Sequence, residues 1–265
     1  STRVQIDKLK YAGYAETLVE NNKNINVVRC KVNQVTKQSN LFHVETSVGA
    51  FSSKSVICTT GTFLAGRMHV GSEKTKGGRV DCAEVDSLDS IFTHVSKLTK
   101  RFKTGTPPRI NRESIDFSVM VEQESDAKAI NFHFSNKPHS RNLRQVSCHL
   151  TRTTDDTLGI IRDNKEQSPL FNGQIKAVGP RYCPSIEDKA YRYENKNEHH
   201  VFVEPESLDL DTFYPNGIST SLPREIQTEF IRTIPGLENA IIDVWGYAVE
   251  YDVVDTTKLT ISLES

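Results

Sequence analysis

Cys183 stands in the stretch GPRYCPSIEDK, between an aromatic residue and a proline, where Gly/Pro punctuation gives way to helix-forming residues. The helix start has two readings. If Pro184 is the first helical residue, as its fixed φ favours, Cys183 is the N-cap and sits at the positive end of the helix dipole, where a thiolate is stabilised. If Ser185 is the cap, Asp188 stands in for the acid of a capping box and Cys183 lies just outside the helix. Arg181 and Lys189 add positive potential in either case. Against chemistry stands the usual fate of a free cysteine, which is to be packed as a small apolar side chain.

A second group of chemical interest is VICTTGTF, an apolar run that ends in Thr60, Gly61 and Thr62. Glycine at the carboxyl end of a parallel strand lets backbone approach a ligand, and open α/β sheets hold cofactors at such strand ends. A plain strand-to-loop turn explains the same residues. In KTGTPPR, Lys103, Thr104 and Gly105 combine a cation, a hydroxyl and a permissive backbone in a segment stiffened by Pro107 and Pro108. It could hold phosphate or flavin edges, but it lacks the GxxxxGK[ST] of a P-loop, and a rigid connector is the competing reading. His199 and His200 are neighbours on a strand-like run and so face opposite ways, which argues against a shared metal site. Glu204 and Glu206 are expected to be solvated surface charges and Trp245 part of the core. YPNGISTSLP reads as an ordered surface loop or a contact to a phosphate backbone.

Composition narrows the partners only a little. The 265 residues carry 33 Lys+Arg against 34 Asp+Glu, a net charge of −1, so no global field favours nucleic acid and any basic surface must be local. Five widely spaced cysteines, without CxxC or a Cys/His cluster, fit a reducing compartment and no metal. No apolar run is long enough to span a bilayer, and no membrane association is expected. The start, STRVQIDKLK, has neither a signal peptide nor an initiator Met. With the abrupt end at ISLES, this leads to the expectation of a piece of a longer protein.

The elements that must position these groups follow from periodicity. QIDKLKYAGYAETLVENN reads as a helix, and INVVRCKVNQV, LFHVET and KSVICTTG as strands of a small meander. Val56, Ile57 and Cys58 are consecutive and apolar, as in a parallel strand buried on both faces. DSLDSIFTHVSKLTK places Leu88, Ile91, Phe92, Val95 and Leu98 on one helical face, with Asp86 or Ser87 as cap. FKTGTPPRI is expected as an ordered loop. Beyond it come strand-like IDFSVMV, INFHF and QVSCHL, an exposed loop SNKPHSRNLRQ, helices from about Pro184 and over PREIQTEFIRTI, and a final strand-like AIIDVWGYAVEYDVV. The class is α/β, in three parts: 1–112, 113–245 and 246–265.

GTFLAG, GGR, KTGTPPRI, IDFSV, GPRYCPSIEDK, EPE, YPNGISTSLP and GYAVEYD, in that order and spacing, resemble the GidA/MnmG family across essentially the whole chain. The resemblance implies a partial glutathione-reductase-like FAD-binding Rossmann domain, interrupted by an inserted mixed α+β domain. It implies a tRNA-modifying flavoprotein that uses FAD, NADH and methylenetetrahydrofolate to place an aminomethyl or carboxymethylaminomethyl group on C5 of wobble uridine 34. Its partners would be tRNA and an MnmE-type GTPase, as a homodimer within a heterotetramer, in the cytoplasm or, in a eukaryote, the mitochondrion. Cys183 matches the second family cysteine, a catalytic thiol. Val32 matches the residue whose backbone meets the FAD adenine, and Gly61 a second flavin-contacting strand end. The segment matching the nicotinamide-nucleotide contact comprises Gly179, Pro180, Arg181, Tyr182, Cys183, Pro184, Ser185, Ile186, Glu187, Asp188, Lys189, Ala190, Tyr191, Arg192 and Tyr193. Arg181, Lys189 and Arg192 are the expected phosphate partners, for nucleotide or tRNA. The family's GxGxxG turn and first cysteine would precede Ser1, and its AGQxNG motif and helical domain would follow Ser265. The expectation is therefore a central fragment, inactive in isolation, in which Ala190 and Tyr193 depart from the usual aliphatic and Phe. Two other classes compete: a non-catalytic tRNA- or nucleotide-binding module, and a relative of the folate-dependent flavin tRNA methyltransferase.

Overall fold

The computed structural model describes residues 3–82, 85–92, 99–127, 141–179 and 183–262. Helix α1 (Lys8–Glu20) begins at Asp7, whose carboxylate accepts from the Lys10 N–H at 2.9 Å. The same carboxylate accepts from Ser207 Oγ and the Leu208 N–H, so one residue caps the helix and ties it to a loop 200 positions away. No residue of α1 is buried. A meander forms as β1 (Val32–Gln38), β2 (Leu41–Thr46) and β3 (Gly49–Ser53), all antiparallel, but its third strand is GAFSS and not the expected KSVICTTG. Val35 closes a small core with Leu64 and Ile91.

The expected parallel strand over Val56–Cys58 is not a strand, and Ile57 is 86% exposed. A strand buried on both faces needs a neighbour at its edges and a layer on each side, and no described strand pairs with it. Beyond this segment come β4 (Arg67–Val70), β5 (Glu73–Lys76) and a short α2 (Leu88–Ile91). Ser87 caps α2, its hydroxyl accepting from the Ser90 N–H at 3.2 Å, while Val95 and Leu98 lie outside the described residues.

The segment expected as a loop, FKTGTPPRI, is mostly strand. β6 (Thr99–Thr106) pairs along its whole length with β13 (Tyr247–Val254), from Thr99 opposite Val254 to Thr106 opposite Tyr247. Long-range pairing overrides the local Gly and Pro signal. Pro107 and Pro108, which have no N–H to donate, end β6 and pass the chain to β7 (Arg109–Asn111) in another sheet. The first sheet runs β5-β4-β13-β6. Its register puts Arg67, His69, Arg101, Lys103, Glu250 and Asp252 on one face, and Met68, Thr104, Tyr247, Val249 and Tyr251 on the other.

The second sheet has six antiparallel strands in the order β12 (Ile242–Val244), β7, β11 (Thr212–Asn216), β10 (His200–Pro205), β9 (Cys148–Arg152), β8 (Val121–Gln123). Ile110, Val201, Val203 and Phe213 from its strands pack with Leu158 and Ile161 of α3 (Asp155–Asp163), Ile186 of α4 (Ile186–Arg192), and Phe230 and Ile231 of α5 (Arg224–Ile231). Each such side chain contributes about 1.5–3 kcal/mol of transfer free energy. Helix α3 was not expected. Its start is a capping box between Thr154 and Thr157, and its Gly159 points into open space. IDFSVMV is only a 3₁₀ turn and a three-residue strand, and INFHF lies outside the described residues. Trp245 is half-buried rather than core. The neighbouring Gly246 fills that place, donating its N–H to Gln227 Oε1 at 2.8 Å where a Cβ would lie 2.9 Å from Thr220.

Candidate functional site

Helix α4 starts at Ser185, which settles the two readings of its entrance. Ser185 Oγ accepts from the Asp188 N–H at 3.1 Å, and Asp188 Oδ2 accepts from the Ser185 N–H at 3.1 Å. The acid at the third helical position satisfies the cap reciprocally, so Cys183 is not the N-cap but lies two residues outside the helix. It is half-buried, with Sγ 3.5 Å from Thr104 Oγ1. The chain reaches this place by crossing the edge strand β6. Val178 O accepts from the Lys103 N–H at 3.1 Å, and Gly179 lies on the Lys103 stem, where a Cβ would come 3.2 Å from Cε. Pro180, Arg181 and Tyr182 lie outside the described residues.

Several ionisable groups gather around this crossing. Lys103 is only 4% exposed, and its Nζ donates to Asp188 Oδ2 at 3.4 Å. Asp188 also receives Arg192 at 3.3 Å. Glu187 is wholly buried: Oε1 accepts from the Ser221 N–H at 2.9 Å and Thr220 Oγ1 at 3.1 Å, Oε2 has no partner, and burial pushes the carboxyl up. Lys189 donates to Gly217 O at 2.7 Å; burial pushes its ammonium down, and Cys183 pulls it back. The Tyr214 and Tyr251 phenols are pushed up, by burial first and by Cys183 among the lesser causes.

YPNGISTSLP is neither a surface loop nor an open phosphate contact. Ile218, Ser221 and Leu222 have no exposed surface, and the loop clamps the start of α4. Ser219 O accepts from the Ile186 N–H at 2.8 Å, Gly217 O holds Lys189, and Thr220 and Ser221 hold Glu187. Glu204 and Glu206 are not solvated either. Glu204 pairs with Arg3, while Glu206 accepts from Lys8 at 2.9 Å, Arg109 at 3.2 Å and Thr212 at 2.9 Å. Burial alone would raise Glu206; the Lys8 and Arg109 charges outweigh it and hold it below the usual range.

The other expected residues scatter. Ile186 and Ala190 have their side chains wholly in the core. Tyr191 donates its hydroxyl to Ile161 O at 2.8 Å and, through burial, is pushed up to about 12. Pro184, Arg192 and Tyr193 are exposed. Gly105 faces Ser219, with 3.4 Å between its Cβ position and that side chain. Val32 begins β1 in the meander. The Thr60–Thr62 turn packs on Gly78: Thr62 Oγ1 donates to Gly78 O at 3.2 Å, Gly61 has φ +56°, and its Cβ position meets nothing nearer than 3.7 Å. Val32 and Gly61 therefore stand on other elements than Thr104, Lys103 and Cys183. His199 is pushed down by burial, with Lys189 adding to the effect. No group of three metal-binding side chains occurs among the described residues, nor any helix long and apolar enough to cross a membrane. Tyr214 and Tyr251 were missed from the sequence. The alternation in GYAVEYD puts Tyr251 on the Thr104 face only once the β6–β13 register is known.

Comparison with known structures places this arrangement. The chain superposes on Aquifex aeolicus GidA in its form I crystal with a TM-score of 0.89 at 40% identity, covering 98% of this chain and 45% of that one. Against the form II crystal the TM-score is 0.87 at 37% identity, covering 98% and 42%. The chain thus spans less than half the length of these relatives. The family model for glucose inhibited division protein A matches residues 1–265, and the chain belongs to that GidA family.

Proposed function

We propose that these residues form part of an FAD-dependent enzyme that modifies tRNA at C5 of wobble uridine 34, with Cys183 as nucleophile. The observation that carries the reading is the placement of the Cys183 sulfur. It is half-buried, not cysteine-bonded, and fixed between a strand hydroxyl and a clamped helix start. A sulfur held this way can add to C6 of a uracil ring, which makes C5 nucleophilic. The sheet face bearing Thr104 and Tyr251 would flank the base, while exposed Arg192 suits a phosphate.

The Thr60–Thr62 turn fits a flavin contact, because exposed Gly61 leaves its backbone open to approach, whereas Lys103 and Gly105 are enclosed by Asp188 and Ser219. Val32 would hold the adenine end. When bound, FAD would supply reducing chemistry, with NADH as hydride source and methylenetetrahydrofolate as one-carbon donor. The six-stranded sheet and its helices serve in this reading as the inserted domain, nearly coincident with 113–245. An MnmE-type GTPase and a second copy of the chain complete the assembly, in the cytoplasm or the mitochondrion.

The test is nucleoside analysis of tRNA after expression of the protein as its gene encodes it. Cys183→Ala should abolish the C5-substituted wobble uridine while flavin absorbance is kept. Undiminished product would sink the reading, and a methyl group in the T-loop instead would identify the folate-dependent methyltransferase class.

A further inference from the structure

We propose that Lys103 is a positioning residue for Cys183: its buried side chain fixes both the chain that crosses the edge strand ahead of the sulfur and the cap of the helix behind it. The sulfur's task rests on the wobble-uridine reading; the positioning rests on this chain's own contacts. Strand β6 is the edge of its sheet, so its outward N–H groups are open to another segment. Val178 forms a parallel bridge with Phe102 there, and its carbonyl accepts from the Lys103 N–H at 3.1 Å. Cys183 returns to the same strand, where Thr104 Oγ1 lies 3.5 Å from Sγ.

Lys103 and Thr104 are consecutive in β6, so their side chains leave opposite faces of the sheet. The Lys103 stem lies against Gly179, where a Cβ would stand 3.2 Å from Cε and 3.8 Å from Nζ. Its Nζ donates to Asp188 Oδ2 at 3.4 Å, the same oxygen that accepts from the Ser185 N–H at 3.1 Å and from Ser185 Oγ at 3.2 Å. Lys103 is 4% exposed, and a buried ammonium needs a compensating charge beside it, which here is the carboxylate of the α4 cap. The crossing at Gly179 and the cap at Ser185 thus meet on one side chain, and Cys183 lies between them in the sequence.

Removing the head of Lys103 separates these functions. Lys103→Met keeps an apolar stem beneath Gly179 but takes the ion pair away. Asp188 then keeps only the exposed Arg192, 3.3 Å from its other oxygen, and the cap loses its ion pair to β6. The first turn of α4 is free to shift against the strand, and the sulfur shifts with it off Thr104. A reacting group displaced by about 1 Å can lose on the order of a hundredfold in rate, so a small movement of this kind is enough to be read in turnover.

Two measurements test the assignment in the protein as its gene encodes it. The first is alkylation of each cysteine by iodoacetamide, followed on its own peptide by mass spectrometry at a pH above the thiol titration, so that the rate reports access. Lys103→Met should speed the reaction of Cys183 severalfold and leave half-buried Cys148, on β9, unchanged. Gly179→Ala keeps both ion-pair partners and presses on the stem from the crossing, so it gives the same signature even if Lys103→Met folds poorly. An unchanged Cys183 rate in Gly179→Ala, or a rise at Cys148 as large as that at Cys183, overturns the proposal. The second is a kinetic cycle. Lys103→Met should lower kcat about tenfold with KM little changed, and should add little in an Asp188→Asn background, where the pair is already broken. Effects that multiply overturn the proposal, because Lys103 would then act apart from the cap. If Cys183→Ala still forms the wobble product while alkylation behaves as expected, the nucleophile reading fails and the positioning of the sulfur stands.

Discussion

Thr104 Oγ1 lies 3.5 Å from Cys183 Sγ, across the boundary between a sheet strand and the entrance to a helix. The strand is held over eight register positions to β13, and the helix by its capping box, so the contact joins two rigid bodies. The sulfur therefore has its direction set by the fold before any substrate arrives.

Replacing that hydroxyl separates orientation from packing. Thr104→Val keeps the β-branched shape and should leave the melting temperature nearly unchanged. Loss of one hydrogen bond of about 1 kcal/mol predicts a roughly fivefold lower kcat with little change in KM. Thr104→Ser should restore the rate. A normal kcat in Thr104→Val would mean that the sulfur is positioned by its backbone alone.

Gly217 anchors the other side of the site. Its φ is +116°, and a Cβ there would stand 2.5 Å from His200 O and 3.6 Å from Lys189 Nζ. Gly217→Ala must therefore strain the backbone and displace β10 or the loop, at about 1–3 kcal/mol. Denaturant unfolding should show that loss, and alkylation of Cys183, followed on its own peptide by mass spectrometry, should change with it. An unaltered unfolding midpoint would show that the clamp is looser than its geometry.

How much of this was legible in the sequence depends on the range of the cause. Ser185 and Asp188 are three apart and cap their own helix, so the spacing contained that answer, as one of two readings. Asp7 at the start of α1 is local in the same way. The strand character of Lys103–Thr106 was hidden because its partner lies about 145 residues away and local Gly and Pro argued for a loop. YPNGISTSLP carried the composition of a surface loop, yet it is buried because its polar groups are spent on Glu187, Lys189 and the α4 backbone. Val56–Cys58 failed in the opposite sense: the apolar pattern asks for a sheet, and no described strand pairs with it.

Glu187 should make stability fall as pH rises. Its carboxyl is pushed above the ordinary value of 4.5, chiefly by burial, so the folded state keeps a proton that the unfolded chain has lost. That contribution is complete below 4.5 and disappears as pH climbs through the folded value. Glu187→Gln removes the titration, so its unfolding free energy should decline less from pH 4.5 upward than that of the parent. Parallel pH curves for the two proteins would show that Glu187 ionises normally in the fold.

His69 gives the opposite slope. The ring is 1% exposed on the charged face of the four-stranded sheet, with Nε2 3.0 Å from Glu250 Oε2 and Nδ1 3.1 Å from Gln174 Nε2. Gln174 Nε2 also donates to Gly71 O, which fixes the amide as donor, His69 Nδ1 as acceptor and Nε2–H as donor to the carboxylate. Burial pushes the ring below its ordinary value of 6.5, and the Glu250 charge only partly opposes this. The unfolded chain therefore binds a proton before the folded one does, and stability present above 6.5 is lost as pH falls toward the folded value. His69→Gln keeps a donor toward Glu250 but cannot take up the proton. Its melting temperature should accordingly drop less between about pH 7.5 and pH 5.5, the interval that spans the ordinary imidazole titration. An equal drop in both proteins would show that the buried imidazole accepts its proton in place, with Glu250 stabilising the cation.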